Sequence, residues 1–217
     1  TMAFSTIVGI LQGKNKTSSY HILARDSFIV TLTLSALGGL GLWYCISHFN
    51  LFQQTDIVST LSKPYLTLVT WSLTPMLIFF FAKNLCDGFS FTLGGMVTTL
   101  LALVLNVFLN WVFIYGNLGS SAYGLNGAGY ATIISRVFLA VTMLFVLFKS
   151  SKIPITLTSF RNSFSESSRI TFYKRIFKLG LPTGFQYFLE IAAFAGAAVL
   201  AGTLGSRESA AHNLAIT

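Results

Sequence analysis

Long apolar runs separated by short polar breaks dominate this chain, and the length of the runs decides the fold class. A helix rises about 1.5 Å per residue, so ~20 apolar residues cross the ~30 Å of hydrocarbon in a bilayer. Five stretches reach that length, at 27–48, 64–82, 93–115, 127–148 and 179–204. A sixth apolar run occupies residues 1–11 and a seventh runs from Ser209 to Thr217. Both are expected to be portions of helices, which makes the chain the expected middle of a longer protein. No charged start followed by a cleavage site resembles a signal peptide. The breaks are mostly short, so consecutive helices are expected to be antiparallel neighbours in a bundle. The expected fold class is therefore an all-α polytopic membrane protein.

Composition agrees with the pattern. Of 217 residues, 53% are hydrophobic and 9% charged, and the mean hydropathy is +0.71. A soluble domain of this length needs far more than 6 acids and 14 basic residues on its surface. The net charge of +8 raises nucleic acid as a partner, but its distribution points elsewhere. Lys14, Lys16, Arg25, Lys83, Lys149, Lys152, Arg161, Arg169, Lys174, Arg175 and Lys178 all fall in odd-numbered loops, against Lys63 and Arg207 in even ones. That alternation is the positive-inside pattern, so odd loops are read as cytoplasmic and the partner is the bilayer, not nucleic acid. Cys45 and Cys86 then fall on opposite sides and are read as unpaired packing residues. His21, His48 and His212 are scattered near span ends, unlike metal ligands. The Asn15-Lys16-Thr17 sequon lies on the cytoplasmic side, where it is read as chance.

Within the spans, a few residues depart from the pattern. Pro75 removes one backbone hydrogen bond and predicts a kink near Trp71–Ser72. Gly38, Gly39 and Gly41, and Gly180 and Gly184, are read as sites of close helix approach. The one long break, 149–178, is rich in basic residues, Ser and Thr. Its second part, SSRITFYKRIFK, suits a helix on the cytoplasmic surface, with a solvated linker as the alternative.

Glu190 stands alone as an acid in GLPTGFQYFLEIAAFAGAAVLAGTLG. It lies roughly 16 Å into its span, near the midplane. A charged group there costs about 2.5–3.5 kcal/mol and demands a partner, a proton or a water-filled opening. That is the chemistry of a coupling site in a cation-driven transporter; a protonated Glu tying two helices together is the structural alternative. Gln186 shares its helix face at i−4, and Tyr187 lies one turn before it. Asn106 and Asn110, also four apart, share a face in the third full span and must face the bundle interior, either as interhelical glue or as part of a cavity. Arg136, inside the next span, is expected to meet a carbonyl or to snorkel. The 21 Phe and 8 Tyr are available for cation–π contacts with a cationic aromatic solute, although lipid contact and packing explain most of them. No nucleophile with a nearby base, phosphate-cradling loop or metal-ligand cluster is legible, so no catalysis and no cofactor are expected.

Three segments, read together, resemble the multidrug and toxic compound extrusion (MATE) family. NVFLNWVFIYGNLGSSAYGLNGAGYATIIS resembles the passage from its fifth to its sixth helix, GLPTGFQYFLEIAAF the start of its seventh, and GTLGSRESAAHNLAI the entry to its eighth. TMAFSTIVGILQGKNK also resembles the end of its second helix. The resemblance implies part of a twelve-helix bundle of two six-helix lobes, from the end of helix 2 to the start of helix 8. Residues 1–148 would belong to the N-terminal lobe, 149–178 to a cytoplasmic inter-lobe connection, and 179–217 to the start of the C-terminal lobe. It further implies a monomeric antiporter of a bacterial inner membrane. Na⁺ or H⁺ would be the coupling ion, exchanged for a small organic, cationic solute. Glu190, with Gln186, matches the cation-coupling position. Asn106, Asn110 and Thr132 match the polar positions of the first-lobe cavity, with Tyr187 grouped among the cavity residues. A lipid-linked oligosaccharide flippase of the same superfamily and a non-transporting receptor or scaffold are the competing readings. Flippases line their cavity with several basic residues, whereas Arg136 is the one basic residue expected within a span.

Overall fold

The computed structural model describes residues 2–14, 19–48, 56–165 and 170–204. The sequon, Lys16, Arg169, Arg207, His212 and the run from Ser209 lie outside them. The described elements are helices: α1 (Met2–Gly13), α2 (Tyr20–Ser47), α3 (Asp56–Trp71), α4 (Leu73–Gly88), α5 (Thr92–Tyr115), α6 (Leu125–Lys149), α7 (Leu157–Ser163) and α8 (Ile170–Leu204), with a 3₁₀ turn at Asn117–Gly119. By length and composition four stretches can cross a membrane: Tyr20–Ser47, Ser62–Gly88, Thr92–Tyr115 and Leu125–Lys149. They coincide with the first four spans read from hydropathy, and the fifth falls inside α8.

The span Ser62–Gly88 is broken where Pro75 predicts it. α3 ends at Trp71, Ser72 stands between the helices and α4 starts at Leu73. Proline has no N–H to offer the carbonyl one turn back, so the ladder opens there. The Ser72 N–H bonds the carbonyls of Leu68 and Val69 instead, and Met76 N–H bonds the Ser72 carbonyl.

The chain divides into two compact units, residues 1–173 and 174–217. In the first, α4 and α6 are central: α6 packs on α5, α4 and α3, and α4 packs on α2 and α1. Phe81 and Leu85 of α4 and Met143 and Leu147 of α6 are fully buried, Phe81 against Phe4 of α1 and Phe28 of α2. The outward positions are also apolar, among them Leu100, Val104 and Val107 on α5 and Val141 and Phe145 on α6. A bundle apolar inside and out suits hydrocarbon as its solvent.

Glycines close the α5–α6 seam, in addition to Gly38 of α2, which was expected at a close helix approach. α5 ends on Gly116 in the left-handed region (φ 75°), whose N–H bonds the Val112 carbonyl. At Gly127 a Cβ would stand 2.5 Å from the Phe113 carbonyl oxygen, so only glycine lets the start of α6 lie against the end of α5. By contrast a Cβ at Gly39, Gly41 or Gly184 meets nothing within 4 Å, whereas at Gly38 it would stand 3.1 Å from the Leu73 side chain of α4, so the close approach expected there holds. Close approach was read from glycine content alone; the contact depends on what the facing helix presents.

Two basic residues assigned to loops belong to helices. Arg25 lies in the second turn of α2, 3% exposed, beside the fully buried Asp26. Lys83 lies in α4 and pairs with Asp87 one turn on, Nζ to Oδ2 2.7 Å. Each has a carboxylate within reach, which lets the helix extend through a charge that hydropathy reads as a boundary. Cys86 is buried as expected, whereas Cys45 is exposed, so the packing reading holds for Cys86 alone.

The connection after α6 contains α7, a helix its composition did not announce. Thr156 and Ser159 form a reciprocal capping box: Ser159 N–H donates to Thr156 Oγ1 (3.2 Å) and Thr156 N–H to Ser159 Oγ (3.0 Å). Phe160 packs against Phe28 of α2 and Phe148 of α6. The Arg25 guanidinium donates to the Ser163 carbonyl. The basic segment after it is not a separate surface helix: from Ile170 it is the opening of α8, which continues to Leu204 through Pro182.

Candidate functional site in the first lobe and on the last helix

Asn106 and Asn110 lie one turn apart on α5, half-buried toward α6. Asn110 Nδ2 donates to Asn106 Oδ1 (3.0 Å), and Asn106 Nδ2 donates to Ser135 Oγ on α6 (3.3 Å). The amides thus form a chain that crosses the helix seam and ends on a hydroxyl. Asn110 Oδ1 is buried without a partner among the described residues, an arrangement that costs about 1–3 kcal/mol unless a donor reaches it.

Thr132 lies one turn before Ser135 and Arg136 on α6. Its hydroxyl donates to the Ala128 carbonyl of its own helix (2.8 Å). With Thr99, Asn106, Ser135 and Arg136 it lines a cavity of about 240 Å³. Among the described residues Arg136 meets a hydroxyl rather than a carbonyl. Its NH1 donates to Ser72 Oγ (2.6 Å), and that hydroxyl donates to the Val69 carbonyl (2.7 Å). Ser72 is fully buried at the break between α3 and α4. The kink therefore exposes a hydroxyl that takes up a guanidinium from the neighbouring helix.

Ser72 and Ser135 are the site residues that sequence reasoning passed over. Each had a signal: Ser135 continues the i, i+3 polar face from Thr132, and Ser72 sits at the predicted kink. Neither polar residue is costly enough alone to stand out in an apolar span.

Glu190, Gln186 and Tyr187 belong to the second unit. α8 is regular through them, so Gln186 and Glu190 share a face at i, i+4, with Tyr187 beside it. All three are exposed. A second candidate region lies between α2 and the α3–α4 break. There Ser35 and Thr74 share a hydrogen bond (2.7 Å) beside Trp43 and Trp71, in a groove of about 470 Å³.

An apolar helical bundle with spans of membrane length and a polar network held across its inner seam defines a polytopic membrane protein. The MatE family model matches residues 1–112, more than half of the chain, and the chain belongs to that family, the multidrug and toxic compound extrusion family. It is 37% identical over 155 residues to the multidrug resistance protein NorM of Aliivibrio fischeri, which covers 71% of this chain and 33% of that protein. It is 31% identical to the probable multidrug resistance protein NorM of Pasteurella multocida, over 99% of this chain and 46% of that one. The chain thus spans less than half the length of these relatives. Its fold is similar, with a TM-score of 0.71 and 24% identity, to a solved structure described as the inward-facing conformation of a multidrug resistance MATE family transporter of the MOP superfamily. That match covers 83% of this chain and 40% of the other.

Proposed function

We propose that the full-length protein is a cation-coupled antiporter that exports organic, cationic drugs or metabolites by alternating access. The observation that carries the reading is Glu190, an acid on an otherwise apolar stretch of α8 with Gln186 on the same face. A carboxylate within hydrocarbon is stabilised by a cation or a proton, and alternate access to the two sides turns that preference into coupling. Membership of the MATE family and similarity to multidrug resistance proteins support export as the direction. The coupling ion is Na⁺ or H⁺. Asn106 and Thr132 line the first-lobe cavity and Asn110 extends their polar network; Tyr187 is a further polar site residue on α8, and residues 149–178 connect the lobes. The protein acts as a monomer in a bacterial inner membrane, and no cofactor or nucleic acid takes part.

The test is ethidium efflux by the full-length protein in cells or everted vesicles under imposed Na⁺ and H⁺ gradients, comparing wild type with Glu190→Gln at matched expression. Gradient-driven efflux abolished by the substitution supports the reading. Efflux that survives unchanged makes Glu190 structural and sinks its coupling role. Absence of efflux in wild type overturns export and favours flippase activity.

A further inference from the structure

The short helix α7 has two unlike sides. On one, Phe160 packs against Phe28 and Phe148, and the buried Ser163 gives its carbonyl to Arg25. Ile153 and Ile155, just before the helix, are buried as well. On the other side Leu157, Arg161 and Phe164 follow one another at i, i+4 and i+7, a single stripe along the helix. Leu157 is 62% exposed, Phe164 53%, and Arg161 is exposed between them. With Thr158 and Phe160 they line an open groove of about 330 Å³. Among the described residues the Arg161 side chain makes no hydrogen bond or ion pair. A guanidinium with all its donors unspent thus stands in the middle of an apolar stripe.

What α7 is pinned to sets the level of that stripe. Phe148 is the penultimate residue of α6, and Phe28 lies in the third turn of α2. Both helices are long and apolar enough to cross a membrane, and the alternation of basic residues places these two ends on the cytoplasmic side. The stripe therefore lies at the headgroup layer of the cytoplasmic leaflet, where apolar side chains meet acyl chains and a guanidinium meets phosphate. We propose that α7 is a binding site for an anionic phospholipid of that leaflet, its phosphate paired with Arg161 and an acyl chain laid along Leu157, Phe160 and Phe164. Charge complementarity supports this occupant: residues 149–165 carry Lys149, Lys152 and Arg161 but no acid. Arg–phosphate pairs are charge-assisted and bidentate, whereas a zwitterionic headgroup brings its own ammonium to a basic surface and gains less. The packing of Phe160 and the capping box hold the helix in place, so the groove exists before a lipid arrives. The inference needs only a membrane-embedded bundle and is independent of what the protein transports.

Native mass spectrometry of the detergent-purified full-length protein tests this, with dioleoyl phosphatidylglycerol and dioleoyl phosphatidylcholine titrated separately. Wild type is expected to hold one phosphatidylglycerol about tenfold more tightly than phosphatidylcholine, the scale of one charge-assisted hydrogen bond. Arg161→Gln is expected to remove that preference and leave phosphatidylcholine within about twofold, while Arg161→Lys keeps part of it. Leu157→Ser with Phe164→Ser is expected to weaken both lipids, because it removes the acyl contact. All three side chains are exposed, so each variant should melt as wild type does. Lys14→Gln removes the same charge from an exposed position outside the groove and should leave the preference intact. Equal loss in Lys14→Gln and Arg161→Gln overturns the proposal, because diffuse attraction then suffices. An unchanged preference in Arg161→Gln also overturns it; a groove covered by another segment of the full-length protein gives that result. Displacement of the lipid by inorganic phosphate, with no effect of the Leu157 and Phe164 changes, marks an anion site and overturns the lipid as occupant.

Discussion

Two arginines in helices of the first unit solve the same electrostatic problem in opposite ways. Arg25, 3% exposed, spends its fork locally. Its Nε and NH2 both reach Asp26 Oδ1, at 2.9 and 2.7 Å, and NH1 reaches the Ser163 carbonyl. The Tyr173 hydroxyl adds a longer contact to the same carboxylate oxygen (3.4 Å). That pair is neutral overall and ties α2 to the connection 138 residues further along. Arg136, beside a cavity, has a hydroxyl and no acidic partner among the described residues. A closed pair builds the fold, because each guanidinium nitrogen of Arg25 has an acceptor and the charge is neutralised in place; Arg136 is held by a single neutral hydroxyl among the described residues.

The largest expected effect comes from breaking the closed pair. Asp26→Asn leaves a buried guanidinium without its counter-charge and should cost about 3–5 kcal/mol, whereas replacing both residues together, Arg25→Met with Asp26→Leu, should recover most of that loss. Thermal unfolding of the detergent-purified full-length protein reads both, and equal destabilisation by the single and double changes would show that packing, not charge, governs this end. Next in size is Gly127→Ala, which places a methyl 2.5 Å from the Phe113 oxygen and should cost about 1–3 kcal/mol by forcing α6, the seat of Arg136, off α5. An unchanged melting temperature would mean that the seam is not tight.

Smaller effects sharpen the contrast at the open arginine. Ser72→Ala removes a hydroxyl bonded to a charged group, yet the half-buried guanidinium can reorient, so a loss of only about 1 kcal/mol is expected. A loss as large as that of Asp26→Asn would place Arg136 in the same structural class as Arg25. Asn110→Ala should be the mildest, at about 0.6 kcal/mol, the scale of interhelical polar contacts in membranes. A double-mutant cycle with Asn106→Ala measures the coupling, and zero coupling would contradict the 3.0 Å amide contact.

Much of the site could be read before the fold was seen, but its partners could not. The amide pair was legible because two Asn one turn apart in an apolar run have to face inward. Its continuation to Ser135 was hidden, since a serine in a span can satisfy itself on its own helix, as Thr132 does on Ala128. Arg136 was visible as a misplaced charge, expected at a carbonyl or snorkelling; its described partner is the Ser72 hydroxyl, which stands where the helix breaks. Arg25 was assigned to a loop because its own burial requires Asp26, Ser163 and Tyr173 together.

The order and length of the spans, the break next to Pro75 and the presence of a few polar groups in hydrocarbon were determined by the sequence alone. Each follows from local chemistry: solvation of the backbone by its own helix, the missing proline N–H, and the cost of a charge in an apolar medium. Tertiary structure decided which glycines touch a neighbour, which arginine is neutralised, and which hydroxyl holds the other. Those outcomes depend on what the facing helix brings within about 3 Å, and the residues that meet at Arg25 and Arg136 stand 138 and 64 positions apart in the chain.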